Sequence, residues 1–125
     1  MVANEAGEIY LSWVSREAQQ VTLEFARLTN DGWDATRVIS RGSNWFVNWA
    51  DFPVLSVDSG GMVAHWLQLS AAGNYDYDIR ARFYRQDKAT WSEARTIHGD
   101  GVSAEHGFVS MLPLNDGTTL ISWLD

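Results

Sequence analysis

Apolar and polar residues alternate along much of this chain, which is the pattern of β-strands rather than of helices. In the segment 78–85, Ile79, Ala81 and Phe83 alternate with two arginines and a tyrosine, so that one face of a strand is apolar. A short run at 16–20 has helical propensity, but it is uncapped and lies where a loop is expected. The pattern predicts strands at 8–15, 21–28, 36–40, 52–57, 62–69, 78–85, 93–97, 108–114 and 118–124.

The predicted strands follow an internal repeat. Trp13, Trp66 and Trp123 each lie six residues after a glycine, at spacings of 53 and 57 residues. A period of about fifty residues is typical of the four-stranded blades of a β-propeller. We therefore predict an all-β fold of two to two-and-a-half blades in one partial domain, 1–125, with repeats at 7–51, 52–107 and 108–125. The three repeated tryptophans are expected to pack between sheets.

A two-sheet β-sandwich is the alternative fold, but sandwiches do not normally show such a repeat. Within each repeat we name the strands A to D from the innermost outward, and the predicted chain then begins and ends with a B strand. Nine strands do not divide into blades of four, so we expect open sheet edges. Such edges invite pairing with missing blades or with another copy of the chain.

Composition narrows the choice of partners. The chain has 125 residues, a net charge of −7 and no run of basic residues, which argues against a nucleic acid or an anionic membrane as partner. It has no cysteine, which removes disulfides and thiolate chemistry. The segment 1–7 does not resemble a signal peptide, and no apolar run approaches the roughly 20 residues of a membrane span. We expect a soluble chain, with any export signal outside it.

Two turns carry the first resemblance to a known family. Thr29-Asn30-Asp31-Gly32-Trp33 and the run 85–91, which ends in Thr90-Trp91, resemble shortened Asp-boxes of sialidases, where Asp and Trp stabilise the turn. Over nearly its whole length the chain looks like bacterial sialidase-like proteins built from BNR repeats, through its runs at 44–53, 65–67, 75–78, 105–110 and 123–125.

That resemblance implies a propeller, an exo-alpha-sialidase-like glycoside hydrolase activity on a glycan, and a periplasmic or extracellular location. Sialidases carry an Arg-Ile-Pro motif whose arginine grips the substrate carboxylate, and this chain has Asp51-Phe52-Pro53 at the comparable place. The Tyr/Glu nucleophile pair of that family has no assigned position in the sequence.

Candidate site residues are the polar residues that do not repeat and that lie in loops on one predicted face. Carboxylates beside imidazoles can act as general acid and base, and aromatic rings suit sugar faces. The catalytic candidates are Asp51, Glu105 and His106, with His65 in support. The substrate-binding candidates are Asn48, Trp49, Tyr75, Tyr77, Asp78 and Asp125.

Each candidate also has a structural interpretation. His65 could bond a backbone carbonyl, Asp51 could cap a turn, and the tyrosines could simply pack. His98, beside Gly99, is expected to be an exposed loop residue. No His-x-x-x-His spacing or phosphate-binding loop occurs, so we expect no metal and no cofactor. A non-catalytic module that binds glycan or protein, and a purely structural fragment, are the alternatives to the hydrolase. We expect the 125-residue chain alone to be inactive, since a propeller site draws on further blades.

Overall fold

The computed structural model describes all 125 residues and contains only strands, turns and loops. The predicted all-β class is confirmed. Every strand pair is antiparallel, apart from one isolated bridge. The strands are β1 (Val2–Ala3), β2 (Ile9–Glu17), β3 (Gln20–Thr29), β4 (Gly32–Trp33), β5 (Arg37–Gly42), β6 (Trp45–Phe46), β7 (Val54–Val57), β8 (Gly61–Leu69), β9 (Tyr77–Arg85), β10 (Thr90–Trp91), β11 (Arg95–Thr96), β12 (Gly107–Pro113) and β13 (Thr119–Leu124).

The first sheet contains β1 to β5. Strand β2 pairs with β1 on one side and β3 on the other, and β3 also pairs with β4 and β5. The run expected to form a loop here instead extends both strands, which join through Ala18 and Gln19 in a two-residue turn. Ala18 adopts a positive φ of 52°, as such hairpin turns require. Because β1 lies on the edge of β2, the expectation that the chain begins at a B strand is wrong.

The second sheet contains β6 to β11, and its long central pair is β8 with β9. These two strands pair continuously from Gly61 opposite Arg85 to Leu69 opposite Tyr77. Strands β6 and β7 lie against β8, and β10 and β11 lie against β9. The order β7, β8, β9, β11 repeats the order β1, β2, β3, β5 of the first sheet. Strands β12 and β13 form a separate hairpin, with a register shift between Gly107 and Ser110.

The second sheet is covered on both faces, which explains why β8 is almost entirely buried. Met62, Ala64 and Trp66 of β8 share a core with the first sheet, whose members there include Leu23 and Phe25. Residues of opposite parity in β8 point to the other face. There a second core contains Leu67, Tyr77 and Ile79, with Val109 and Trp123 of the hairpin packed against it. The molecule thus has three layers: first sheet, second sheet and hairpin.

The repeated tryptophans all point in the same direction relative to their own sheets. Trp66 is buried against the first sheet, and Trp123 packs on the second sheet. Trp13 pairs with Glu24 in β2–β3, next to the core pair Val14 and Leu23, so it points away from the core. The expected packing between sheets therefore holds for Trp66 and Trp123, whereas no sheet lies against the face that carries Trp13. The number of blades and the propeller arrangement stay predictions.

Candidate functional site

Several of the site candidates come together beside the start of β9, where two segments of the chain meet. One is the turn between β6 and β7, where the side chain of Asn48 accepts hydrogen bonds from the N–H groups of Ala50 (2.8 Å) and Asp51 (2.7 Å). These bonds fix the turn that carries Trp49 and Asp51, so Asn48 is a positioning residue. The other is the segment before β12, where Glu105 forms a parallel bridge with Tyr77.

Asp51 is a buried carboxyl group, with 4% of the residue exposed. Its Oδ2 accepts a hydrogen bond of 2.9 Å from the N–H of Phe108, at the start of the hairpin. Burial raises the pKa of Asp51, the Phe108 N–H opposes that rise, and the nearby charge of Glu105 adds to it. A carboxyl group in this setting takes up a proton more readily than an exposed aspartate.

Tyr77 is hydrogen-bonded to Glu105 and approaches the same glycine, Gly107, as Asp51 does. Its buried hydroxyl donates a hydrogen bond of 2.8 Å to Glu105 Oε1, and its ring stacks on Phe46 at a centroid distance of 4.5 Å. Burial, followed by the hydrogen bond and charge of Glu105, raises the pKa of Tyr77 well above its ordinary value. The phenol therefore remains a protonated donor that orients the exposed carboxylate of Glu105.

Gly107 lies at the centre of this cluster. A Cβ atom on Gly107 would lie 2.4 Å from Asp51 Oδ2 and 3.1 Å from the hydroxyl of Tyr77. The missing side chain therefore leaves the space that both polar groups occupy. Asp51, Tyr77 and Glu105 form one cluster around this glycine, and we call it the Gly107 cluster.

An open cleft and several exposed aromatic rings adjoin the Gly107 cluster. The cleft has a volume of about 270 Å³ and is lined by Ala50, Asp51, Phe52, Val54, Phe108, Val109 and Ser110. Trp49, in the turn beside Asp51, is 92% exposed, and Tyr75 is also exposed, with its ring 6.2 Å from that of Phe46. Phe108 has a positive φ of 53°, which is a strained conformation for a bulky residue. Such strain often occurs at binding sites.

His106 lies behind the Gly107 cluster and is fully buried. Its Nδ1 is 3.2 Å from the carbonyl oxygen of Tyr77, and its Nε2 is 3.0 Å from Asp100 Oδ2 and 3.5 Å from Asp125 Oδ1. Burial lowers the pKa of His106, but the hydrogen bonds to Asp100 and Tyr77 and the charges of Asp100 and Asp125 together outweigh burial, so the pKa is raised overall. The bond between His106 and Asp100 also lowers the pKa of Asp100 to about 2. The ring of His106 thus bonds the Gly107 cluster only through the backbone carbonyl of Tyr77, and not through any of its side chains.

His98 belongs to the same region, and its expected exposure is wrong. Only 7% of its side chain is exposed, because the ring stacks on His106 with centroids 3.8 Å apart and planes inclined by 12°. Its Nε2 accepts a hydrogen bond of 3.3 Å from the N–H of Ile79 and lies 3.7 Å from Asp78 Oδ1. Asp78 and Asp125, proposed as substrate ligands, therefore both lie beside this histidine pair.

His65 does not join the other candidates. It is 1% exposed, and neither ring nitrogen has a hydrogen-bond partner. Its strand neighbours Val54 and Ala81 are apolar, and burial lowers the pKa of His65 to about 4. It lies inside the sheet as a neutral side chain, so it bonds neither the expected backbone carbonyl nor any other candidate.

Sequence reasoning missed four residues of this region: Phe46, Asp100, Gly107 and the N–H of Phe108. Asp100 follows His98 by two residues in a glycine-rich loop, which is a weak local signal for a hydrogen-bonded pair. The roles of Phe46 and Gly107 depend on contacts between distant segments, which the sequence pattern does not encode.

Comparison with protein-family models, curated proteins and solved structures gives no match to this chain. The structure holds no helix with the length and apolar character that a membrane crossing needs.

Proposed function

We propose that this chain is part of a glycan-active, sialidase-like propeller in which Asp51 and Glu105 form the acid and base pair of a glycoside hydrolase. One observation carries the proposal: both carboxyl groups belong to the Gly107 cluster, but their environments differ. Asp51 is buried and has a raised pKa, whereas Glu105 is exposed and accepts a hydrogen bond from Tyr77. Two carboxyl groups in contrasting environments are the usual arrangement for acid and base roles in glycosidases.

The chemistry assigned to the pair is hydrolysis. The protonated carboxyl of Asp51 gives its proton to the glycosidic oxygen as the bond to the anomeric carbon breaks. The carboxylate of Glu105 takes a proton from the water whose oxygen attacks that carbon. Tyr77 holds the Glu105 carboxylate in place, and the exposed rings of Trp49 and Tyr75 offer faces on which a sugar can stack.

Two arginines of the second sheet, Arg80 and Arg82, are relevant to which substrate the cleft can bind. Arg82 donates to the carbonyl of Ile39 in the first sheet (2.7 Å), and Arg80 donates to the carbonyl of Ala94 (3.1 Å) and to Thr96 (3.0 Å). Both guanidinium groups are thus committed to backbone and hydroxyl oxygens rather than to the cleft. No basic residue lines the cleft either, so a glycan without a carboxylate is the substrate class that agrees best with this arrangement.

The test is turnover of a panel of neutral and sialylated aryl glycosides by the full-length protein that contains this chain, as wild type, Asp51→Asn and Glu105→Gln. Removal of one general acid or base typically costs 10²–10⁴-fold, so we expect each substitution to lower kcat by at least about 100-fold. Glu93→Gln, an exposed carboxylate in the loop before β11, is the matched control and should leave kcat unchanged. Wild-type turnover in both site variants would refute the assignment.

A non-catalytic glycan-binding module is the second candidate. Trp49 is almost fully exposed beside the cleft, and its ring can stack on a sugar whether or not Asp51 takes part in catalysis. This function predicts glycan binding without turnover and loss of binding in Trp49→Ala. Titration calorimetry with the same glycans, run beside the turnover assay, distinguishes the two functions. Binding that survives Trp49→Ala would exclude stacking on this ring.

We also propose that the sheets are propeller blades. The shared order of the first two sheets and the common direction of Trp66 and Trp123 support this arrangement. On the hairpin, Leu120 and Leu124 are exposed on the face opposite Trp123. In a propeller that face receives the next sheet. We propose that a second copy of this chain covers this face in solution.

A further inference from the structure

The environment of His106 contains a hydrogen-bonding mismatch. A carbonyl oxygen only accepts hydrogen bonds, so the 3.2 Å contact with Tyr77 places a hydrogen on Nδ1 of His106. In the neutral ring, Nε2 then presents a lone pair. Nε2 faces two carboxylate oxygens, Asp100 Oδ2 at 3.0 Å and Asp125 Oδ1 at 3.5 Å. The lone pair of Nε2 and the two carboxylate oxygens are thus three acceptors beside a fully buried side chain, and either a proton on Nε2 or a metal cation can bridge them.

We propose that Asp100, His106 and Asp125 bind a divalent transition metal ion of the zinc type. Their ligand atoms all lie within 4.8 Å of one another. Zinc binds nitrogen and oxygen ligands at about 2.0–2.2 Å in a tetrahedral arrangement, so neighbouring ligand atoms are about 3.4 Å apart. The two distances from His106 Nε2, 3.0 and 3.5 Å, bracket that separation. Water would complete the coordination, since Asp125 is more than half exposed.

The surrounding hydrogen bonds are those that hold metal ligands in place. A ligating histidine usually donates its second ring N–H to a carbonyl or carboxylate, as His106 does to Tyr77. His98 takes the N–H of Ile79 on Nε2, so its Nδ1 carries the hydrogen and faces Asp100 Oδ1 at 3.3 Å. The N–H of Val102 donates to the same oxygen at 3.4 Å. One oxygen of Asp100 is thus held by its neighbours, and the other remains for the ion.

A second group of potential ligands, Asp78 with His98 and His106, suits an ion less well. The lone pair of His98 Nε2 is already used by the N–H of Ile79. The rings of His98 and His106 are also stacked with centroids 3.8 Å apart and planes inclined by only 12°, so their in-plane lone pairs lie in separate, nearly parallel planes rather than meeting at one point. We therefore assign His98 to the support of Asp100, as a positioning residue.

This site is independent of the proposed hydrolase. An ion there would tie the loop that carries Asp100 to the end of β13, and would fix His106 beside the hydrogen-bonded Glu105. If the chain binds no zinc, the assignment of Asp51 and Glu105 as acid and base still stands. If the protein shows no glycoside turnover, the metal site still stands.

The experiment is a titration of the purified 125-residue chain with Zn²⁺ at pH 7.5, followed by calorimetry. We expect one saturable ion per chain, with affinity lowered at least tenfold in Asp100→Asn and in Asp125→Asn. Asp78→Asn tests the second group, and Asp116→Asn is the control, an exposed aspartate in the hairpin turn. Both of these variants should bind Zn²⁺ with an affinity within twofold of that of the wild type.

A second measurement uses the wild type alone, so its result does not depend on whether the variants fold. In long-range ¹H–¹⁵N spectra of the imidazoles, Zn²⁺ should shift Nε2 of His106 while Nδ1 keeps its hydrogen. No saturable binding, unchanged affinity in both Asp100→Asn and Asp125→Asn, or an Nε2 that stays protonated at zinc saturation would each overturn the site. The last result would mean that Nε2 of His106 carries a proton instead of binding zinc.

Discussion

His65 is the side chain whose replacement has the most definite consequence for stability. It is fully buried, both ring nitrogens lack partners, and burial lowers its pKa to about 4 from an ordinary value of 6.5. Below pH 6.5 the unfolded chain protonates this histidine, whereas the folded chain keeps it neutral until the pH approaches 4. Folding stability therefore falls as the pH drops through this window, and His65→Leu should abolish that part of the fall.

The magnitude follows from the two pKa values. At pH 5 the unfolded histidine is almost fully protonated and the folded one is mostly neutral, which costs about 2 kcal/mol of unfolding free energy. At pH 7.5 the same term is close to zero. Replacing an unpaired polar ring with an apolar side chain also removes a desolvation penalty of about 1–3 kcal/mol at any pH. We expect His65→Leu to be stabilising at pH 7.5 and more stabilising, by about 2 kcal/mol, at pH 5.

Urea denaturation of wild type and His65→Leu at pH 7.5 and pH 5 measures this difference. With slopes of about 1–3 kcal/mol per molar urea, the extra shift in midpoint at pH 5 is about 1 M. The other titrating groups are common to both proteins and cancel in the comparison. An equal stability difference at the two pH values would refute the inference that His65 is held neutral in the fold.

Three further predictions concern packing and assembly. Gly107→Ala places a methyl group against the carboxylate of Asp51 and should lower the melting temperature by more than about 4 °C. Gly99→Ala is the control, because a methyl group there meets open space and should leave the melting temperature unchanged. Equal effects of the two substitutions would contradict the close contact at Gly107. Tyr77→Phe removes a buried hydroxyl that bonds a carboxylate and should cost about 1.5–3 kcal/mol in urea denaturation; a neutral effect would show that the bond contributes nothing. The chain should associate with itself at rising concentration in sedimentation velocity, less so in Leu120→Asp, and a compact monomer throughout would contradict this.

The strand pattern could be predicted from the sequence because alternation and repetition are local properties. The predicted strand 62–69 differs from β8 by one residue, and the predicted strand 78–85 differs from β9 by one residue. The sequence does not predict β1, because two residues are too few to show alternation. It predicts a loop around Ala18, because helix-favouring residues there conceal a hairpin that depends on one positive φ.

The candidate site could be predicted only in part. The pattern of non-repeating polar residues indicates the loops that carry Asp51 and Glu105, and the structure brings these two residues into one cluster. The sequence could not show that His65 faces an apolar layer, because that depends on how the hairpin covers the second sheet. It could not show that His98 stacks on His106 either, since the two rings meet only after the loop between them folds back.

The two repeats differ at the very position where they meet. In the alignment of the repeats, Asp51 corresponds to Gly107, so one loop has a carboxylate where the next has no side chain. The structure makes these two differences complementary, because the Asp51 carboxylate fills the space beside Gly107 and binds the following N–H of Phe108. A serine or alanine at 107 would exclude the carboxylate, and a glycine at 51 would leave the Phe108 N–H without this acceptor. The loss of repetition at this pair is therefore required by the contact itself, and it is this contact that buries Asp51 beside Glu105.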